Sequence, residues 1–340
     1  MNVERFLLQK ELVQLIREKI RAHGPQPFAW FMQQALYHPA HGYYSSGRAN
    51  IGRGGDYFTN VSVGPLFGRL LAAQLAQMWK SLGKIDNFII VEEGAHDGQF
   101  AGDVLEASRK DAPDFFAALR YRIIEPFRVW QDRQRQTLTD FESKVEWPNE
   151  LAPFIGAHFS NELLDAMPIN FRNKLVDLSG DNFVFVDSPA AQITNQSQLD
   201  WIDNIAANLQ RGFVLIIDYG FARDEFREVV QARAEHRHLD SVFEQIGDAD
   251  ITAHINWTDI AEHAEAKGLR VAGFTDQHHF LTGIISDLVV PDSPRALQTL
   301  LHPEMLGRAF QVLLLNKDVD LAEPLAGFKF ARDARALLNE

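Results

Sequence analysis

The stretch Asn87–Gly98, NFIIVEEGAHDG, constrains this chain more than any other. Four apolar residues, Phe88–Val91, run into Glu92 and Glu93, and a short loop bearing Gly94 and Gly98 follows. Acidic Asp97 and Asp103 flank the start of a predicted helix, Phe100–Arg109. Strand, glycine loop, helix is the opening unit of a doubly wound α/β domain. In that architecture a nucleotide-like ligand sits at the carboxyl end of the first strand.

The length of 340 residues suits one large core with an elaboration, or two modest domains. A composition 46% hydrophobic and 23% charged places the chain among soluble globular proteins, and 25 phenylalanines predict an aromatic-rich core or ligand pocket. The net charge of -13 opposes non-specific nucleic-acid binding, which needs a basic field, although a local basic groove stays possible. With no cysteine, the chain has no disulfide, thiolate nucleophile or cysteine-ligated metal centre. The start, MNVERFLLQKELVQLIREKI, mixes both charge signs in an amphipathic repeat. It has neither the apolar stretch of a signal peptide nor the acid-poor character of a transit peptide. No apolar run reaches membrane-spanning length. The expectation is a soluble, cytoplasmic protein without membrane or nucleic-acid partners; the sequence leaves the oligomeric state open.

Apolar spacing predicts a helix over Phe6–His23, ended by Gly24-Pro25, and a second over Pro27–Tyr37. A turn-rich loop follows, with five glycines between Gly42 and Gly55. Its interleaved Tyr43, Tyr44, Tyr57 and Phe58 argue against a solvated linker, because such rings cover something. Val63–Leu82 reads as a helix leading to the first strand. Leu119–Glu125 reads as the second strand, ending in an acid 27 residues after Gly98. Ribose hydroxyls are held at that place in this architecture; without context a surface glutamate ahead of the helix Arg128–Leu138 is the simpler reading. Gly156–Ser160 is a strand candidate running into the polar lip Asn161–Pro168, NELLDAMP. Ile169–Asp187 alternates as a β-hairpin around Ser179-Gly180-Asp181, and Gln198–Gln210 is an amphipathic helix. Gly212–Tyr219 is the strongest strand, an apolar run of the kind found in buried central parallel strands. Arg223–Gly247 reads as charged and helical or irregular. The histidines from His236 to His254 lack metal spacing and read as solvated or locally bonded. Asn256 or Thr258 caps a helix, Trp257–Lys267. Leu269–Phe274 and Ala309–Leu315 are the last strands, before a polar helical tail.

Several stretches together resemble the MidA-type S-adenosylmethionine-dependent methyltransferases, whose mitochondrial members act in respiratory complex I assembly. They are ALYHPAHGYY (Ala35–Tyr44), GDYFTN (Gly55–Asn60), LFG (Leu66–Gly68), VEEGAHDG, NELLDAMP, IDYG (Ile217–Gly220), DITAH (Asp250–His254) and GFTDQHHFL (Gly273–Leu281). Each alone is weak, but all occur in the family's order over nearly the whole chain. The resemblance implies an α/β, Rossmann-like seven-stranded class I methyltransferase core. It also implies an N-terminal helical extension with the cofactor-covering loop (1–82), a core over 83–320 and a tail over 321–340. Inserted substrate-side segments would be a hairpin at about 169–187 and a helical segment at about 222–268. By resemblance Gly55, Asp56 and Thr59 fold over the cofactor, S-adenosylmethionine. Glu92, Gly94 and Gly98 line its methionine and ribose side, and Glu125 takes the ribose hydroxyls. Asn161, Glu162 and Asp165 sit beside the transferring methyl. The family's mitochondrial members are protein arginine methyltransferases, so a protein substrate is implied, such as a respiratory-complex subunit. An acidic lip suits a guanidinium, which pairs bidentately with carboxylates. Methyl transfer from a sulfonium needs alignment above all, so no metal and no nucleophile is expected.

Two departures stand out. The family's middle loop glycine is His96 here, which leaves open a tolerated substitution, weakened cofactor binding or a new role. Its Gly-Thr-Leu-Arg-x-Tyr segment is replaced by EVVQARAEH (Glu228–His236), with Gln231 and Arg233 where an arginine and a tyrosine are expected. A non-catalytic binding or assembly factor on the same fold is the alternative function. A nicotinamide dehydrogenase would require a fuller G-x-G-x-x-G fingerprint than this loop has.

Overall fold

A computed structural model describes residues 3–49, 59–190, 193–223, 225–235, 237–288, 293–331 and 337. The chain forms two compact units, each assembled from separate stretches. The larger comprises Thr59–Leu163, Trp201–Phe226 and Ile255–Glu340. Its central strands, numbered along the chain, are β1 (Phe88–Glu93), β2 (Leu119–Ile124), β3 (Val145–Glu146), β4 (Phe154–Asn161), β5 (Leu209–Phe221), β6 (Arg270–Asp276) and β7 (Phe310–Lys317). In space they run β6-β7-β5-β4-β1-β2-β3. Neighbours are parallel except β7, which is antiparallel to both β5 and β6. A two-residue strand, Ile255–Asn256, adds an eighth, parallel to the end of β5.

The apolar runs explain this arrangement. Phe213–Ile217 in β5 and Leu313–Leu315 in β7 have no exposed surface, as strands covered on both faces must. Each such side chain contributes about 1.5–3 kcal/mol by leaving water. In β2, by contrast, Leu119, Tyr121 and Ile123 are buried and Arg120 is exposed, the alternation of a strand with one wet face. Strand order reverses between β1 and its two neighbours, β2 and β4, so a crevice opens at the carboxyl ends there. The helix Leu66–Ser81 packs on Gln99–Asp111. At their closest point a Cβ on Gly68 would lie 2.4 Å from the Asp103 Cβ, which is why the LFG motif needs its glycine.

The smaller unit comprises Met1–Phe58, Leu164–Asp200 and Arg227–His254. The expected hairpin is present as Lys174–Ser179 paired with Asn182–Asp187, and Gln26–Pro27 pairs along its other edge. Phe183 and Phe185 meet Phe28, Phe31, Phe171 and Phe243, with ring centroids 4.9–6.0 Å apart. Here lies much of the aromatic surplus. Two aromatics of the glycine-rich loop cover something, while Tyr57 and Phe58 lie outside the described residues: Tyr43 is buried, and Tyr44 stacks on Tyr37 and donates to Asp250 Oδ1 at 2.7 Å.

Where a helical segment was expected over 222–268, the described residues form three antiparallel strands, Arg237–His238, Val230–Ala234 and Asp250–Ala253, before the helix Trp257–Ala266. Ala232 and Ala234 are buried two positions apart along their strand, a period-two signal that the surrounding charges hide. Asn256 does cap the helix, its Oδ1 accepting the Asp259 N–H at 3.4 Å. Three α-helices escaped the sequence reading, Pro113–Ala118, Gln277–Asp287 and Pro294–Leu301. The expected tail helix falls largely outside the described residues. No helix among the described residues is long and apolar enough to cross a membrane.

Candidate active site

Successive side chains of β1 leave opposite faces of the sheet. Glu92 therefore meets Tyr121 of β2, whose hydroxyl donates at 2.6 Å, while Glu93 Oε1 lies 2.9 Å from His158 Nε2 on β4. Glu92 is almost wholly buried, and burial pushes its carboxyl up to about 8 against the pull of the Tyr121 bond. The chain then turns at Gly94, whose φ of +81° is a left-handed conformation costly for any residue with a Cβ. Gly98 is also left-handed and opens the helix Gln99–Asp111.

His96 lies within that loop, with a φ of +46°. Its ring packs on Trp130, centroids 4.3 Å apart, and its carbonyl accepts from Gln134 Nε2 at 2.8 Å. The imidazole is thus part of the packing between the loop and the helix Arg128–Thr137. His96 Nε2 is buried without a hydrogen-bond partner.

Glu125 follows β2 directly and is 8% exposed. Its Oε1 accepts the Phe127 N–H at 2.9 Å, and Gln134 Nε2 lies 3.3 Å from Oε2. Burial pushes this carboxyl up to about 7; those two donors and the nearby His96 only partly oppose it. A buried carboxylate has acceptor capacity for more than two donors. The two hydroxyls of a ribose fit that deficit, so the donor set suits the cofactor the sequence implies.

At the end of β4, Asn161 and Glu162 come together. Asn161 Nδ2 donates to Glu162 Oε1 at 2.9 Å, and Glu162 itself is left-handed, with a φ of +53°. The turn is clamped from β5, where buried Asp218 accepts the Leu163 N–H at 3.0 Å through Oδ2 and the Tyr219 N–H at 2.8 Å through Oδ1. Asp165 falls in the smaller unit; it is buried, and its carbonyl accepts the Ala253 N–H. Thr59 turns inward to Ser62, Oγ1 to Oγ 2.8 Å, closing the turn that precedes the helix Leu66–Ser81. Gly55 and Asp56 lie outside the described residues. In the smaller unit Val230–Arg233 of the replaced stretch pair with Asp250–Ala253 of DITAH, Arg233 opposite Asp250 and Gln231 opposite Thr252. Burial, together with the Arg233 charge, holds His254 below its ordinary range, against a backbone bond that opposes the shift.

Sequence reasoning assigned no role to Asn60 or Gln277, although both lie in quoted motifs. Asn60 Nδ2 donates to Asn161 Oδ1 at 3.1 Å, and Gln277 Nε2 donates to Asn60 Oδ1 at 2.8 Å. Both residues are fully buried. A polar amide on the buried side of a helix start is the one signal that could have found Gln277.

A seven-strand order with one reversed strand, a glycine loop after β1 and acids at the strand ends together define a Rossmann-like methyltransferase. The chain belongs to a family of S-adenosyl-L-methionine-dependent methyltransferases, whose model matches residues 70–189 and 190–275. It is 24% identical to the Drosophila melanogaster protein arginine methyltransferase NDUFAF7 homolog, mitochondrial, over 93% of this chain and 88% of that one. It is also 24% identical to the human protein arginine methyltransferase NDUFAF7, mitochondrial, over 93% and 85% of the two chains. A solved structure from Burkholderia thailandensis, bound to S-adenosyl-homocysteine, superposes with a TM-score of 0.89 at 27% identity and covers 98% of both chains. The protein is therefore a methyltransferase whose cofactor is S-adenosylmethionine.

The cytoplasmic expectation needs correcting, because these curated relatives are named as mitochondrial. Absent cysteines and modest hydropathy constrain redox chemistry and membrane insertion, and neither specifies a compartment.

Proposed function

We propose that the protein transfers a methyl group to a guanidinium nitrogen of arginine in a protein substrate. The observation that carries this reading is the Asn161–Glu162 turn at the carboxyl end of β4, a carboxylate presented by a strained backbone beside an amide. The relatives named as protein arginine methyltransferases support it. When bound, the cofactor supplies a methyl already activated on a sulfonium. Glu162 accepts guanidinium N–H groups, orients one nitrogen and takes up the proton that this nitrogen releases on methylation. Glu125 accepts the ribose hydroxyls, and Gly94 lets the backbone pass close to the ligand. Resemblance to the MidA type makes a respiratory-complex subunit the first acceptor to try.

The test incubates the protein with deuterium-labelled S-adenosylmethionine and arginine-bearing peptides, then analyses the hydrolysate by mass spectrometry. Labelled methylarginine is expected. Label on lysine, or on no side chain although S-adenosylhomocysteine binds, overturns the arginine reading. Glu162→Gln should keep cofactor affinity within about twofold while turnover falls by about 10²-fold or more. Loss of affinity instead would move Glu162 into the cofactor's own contacts.

A further inference from the structure

Four polar side chains of the larger unit form one continuous chain of hydrogen bonds that ends on Glu162. Gln277 Nε2 donates both to the Leu300 carbonyl, at 3.2 Å, and to Asn60 Oδ1, at 2.8 Å. Asn60 Nδ2 donates to Asn161 Oδ1 at 3.1 Å, and Asn161 Nδ2 donates to Glu162 Oε1 at 2.9 Å. The Asn60 backbone N–H reaches the same Oε1 at 3.4 Å.

The direction of this chain is fixed by chemistry. The Leu300 carbonyl can only accept, so the Gln277 NH₂ must face it. That NH₂ also faces Asn60, whose carbonyl must then point back and whose NH₂ must point forward. Asn161 repeats the pattern, and the Glu162 carboxylate is the terminal acceptor. Three amide dipoles thus align with their positive ends toward Glu162, and aligned hydrogen bonds strengthen one another at low dielectric. Stability alone does not account for Gln277. It has no exposed surface, and its Oε1 is buried without a hydrogen-bond partner. Such an orphan is a cost that an apolar residue would avoid. Glu162 also needs outside support, because its left-handed backbone is not one that a glutamate adopts by preference.

We propose that Gln277 and Asn60 are positioning residues: through Asn161 they hold the Glu162 carboxylate toward the group being methylated. The inference rests on the methyltransferase reading of Glu162. The relay acts on charge placement near the transferable methyl, while cofactor affinity as such depends on Glu125 and the glycine loop.

Sinefungin, a cofactor analogue with an amine where the methyl sits, reports that charge. Calorimetric titration of sinefungin and of S-adenosylhomocysteine gives the preference between them, free of any acceptor. The native protein should favour sinefungin. Gln277→Met and, independently, Asn60→Ala should lower that preference about tenfold while leaving S-adenosylhomocysteine affinity within about twofold, as should Glu162→Gln. Thermal melts identify a variant that has not folded, and either amide variant suffices. An unchanged preference in a folded Gln277→Met or Asn60→Ala protein overturns the relay, as does equal loss of both ligands. A native protein that binds both ligands equally also overturns it. No binding of S-adenosylhomocysteine by the native protein sinks the methyltransferase reading itself, a different failure.

Discussion

Glu125 and Glu92 are carboxylates withdrawn from water, and their consequences differ. On the proposed reading Glu125 accepts the ribose diol, so Glu125→Ala should weaken S-adenosylhomocysteine binding at least tenfold, about 1.4 kcal/mol. An unchanged dissociation constant by calorimetry would remove it from the site. Glu92 is held within the sheet by the Tyr121 hydroxyl. Its carboxyl is raised from 4.5 to about 8, so between those values the native state binds more protons than the unfolded chain. Its stability contribution is complete below about pH 4.5 and is lost as pH rises through 8. Glu92→Gln keeps an acceptor for the Tyr121 hydroxyl without that ionisation. Its stability should gain on that of the native protein as pH rises from 5 to 8, by roughly 3 kcal/mol, read from melting temperatures across that range. A pH-independent difference would mean that Glu92 stays ionised throughout. At this scale the sequence was readable where position implies role. Glu125 ends a strand and Gly94 follows one. Asn60 and Gln277 gave no such sign, because a buried amide has no periodicity and its partners lie far off along the chain.

Among elements, long apolar runs were legible and charged stretches were not. Phe88–Val91 and Gly212–Tyr219 announce central strands because burial on both faces leaves no polar position. The strand Val230–Ala234 hides its period behind Gln231 and Arg233, and no single-sequence pattern separates it from irregular chain. The helix Gln277–Asp287 begins at a capping Asp276, but its histidines and glycine blur the apolar stripe. Capping was readable at Asn256, and Asn256→Ala should cost about 1 kcal/mol in denaturant melts, with the m-value unchanged. A cost near zero would assign the start of that helix to β5 pairing at Ile255–Asn256 instead.

For the whole molecule, the net charge of -13 is the property that the proposed arginine-bearing substrate would meet first. Opposite charge speeds encounter and is screened by salt. The affinity for a basic arginine peptide, followed by fluorescence anisotropy, should fall several-fold from about 0.05 to about 0.3 M salt. Affinity insensitive to salt would place recognition in short-range contacts alone. Two compact units built from interleaved stretches were not legible as such, since four of the five crossings lack the proline, glycine or serine run that marks a linker, and the glycine-rich loop before Phe58 marks only one of them.

The left-handed turn at Glu162 also limits how a lineage can change. Glycine, asparagine and aspartate enter that backbone region most cheaply, yet none extends a carboxylate as far as glutamate does. A branched residue would resist the turn, and a shorter acid would retreat from the group that Glu162 is proposed to hold. The position is therefore a narrow ridge in sequence space. Drift away from glutamate costs reach or backbone strain, and a lineage that has crossed it has few single steps back.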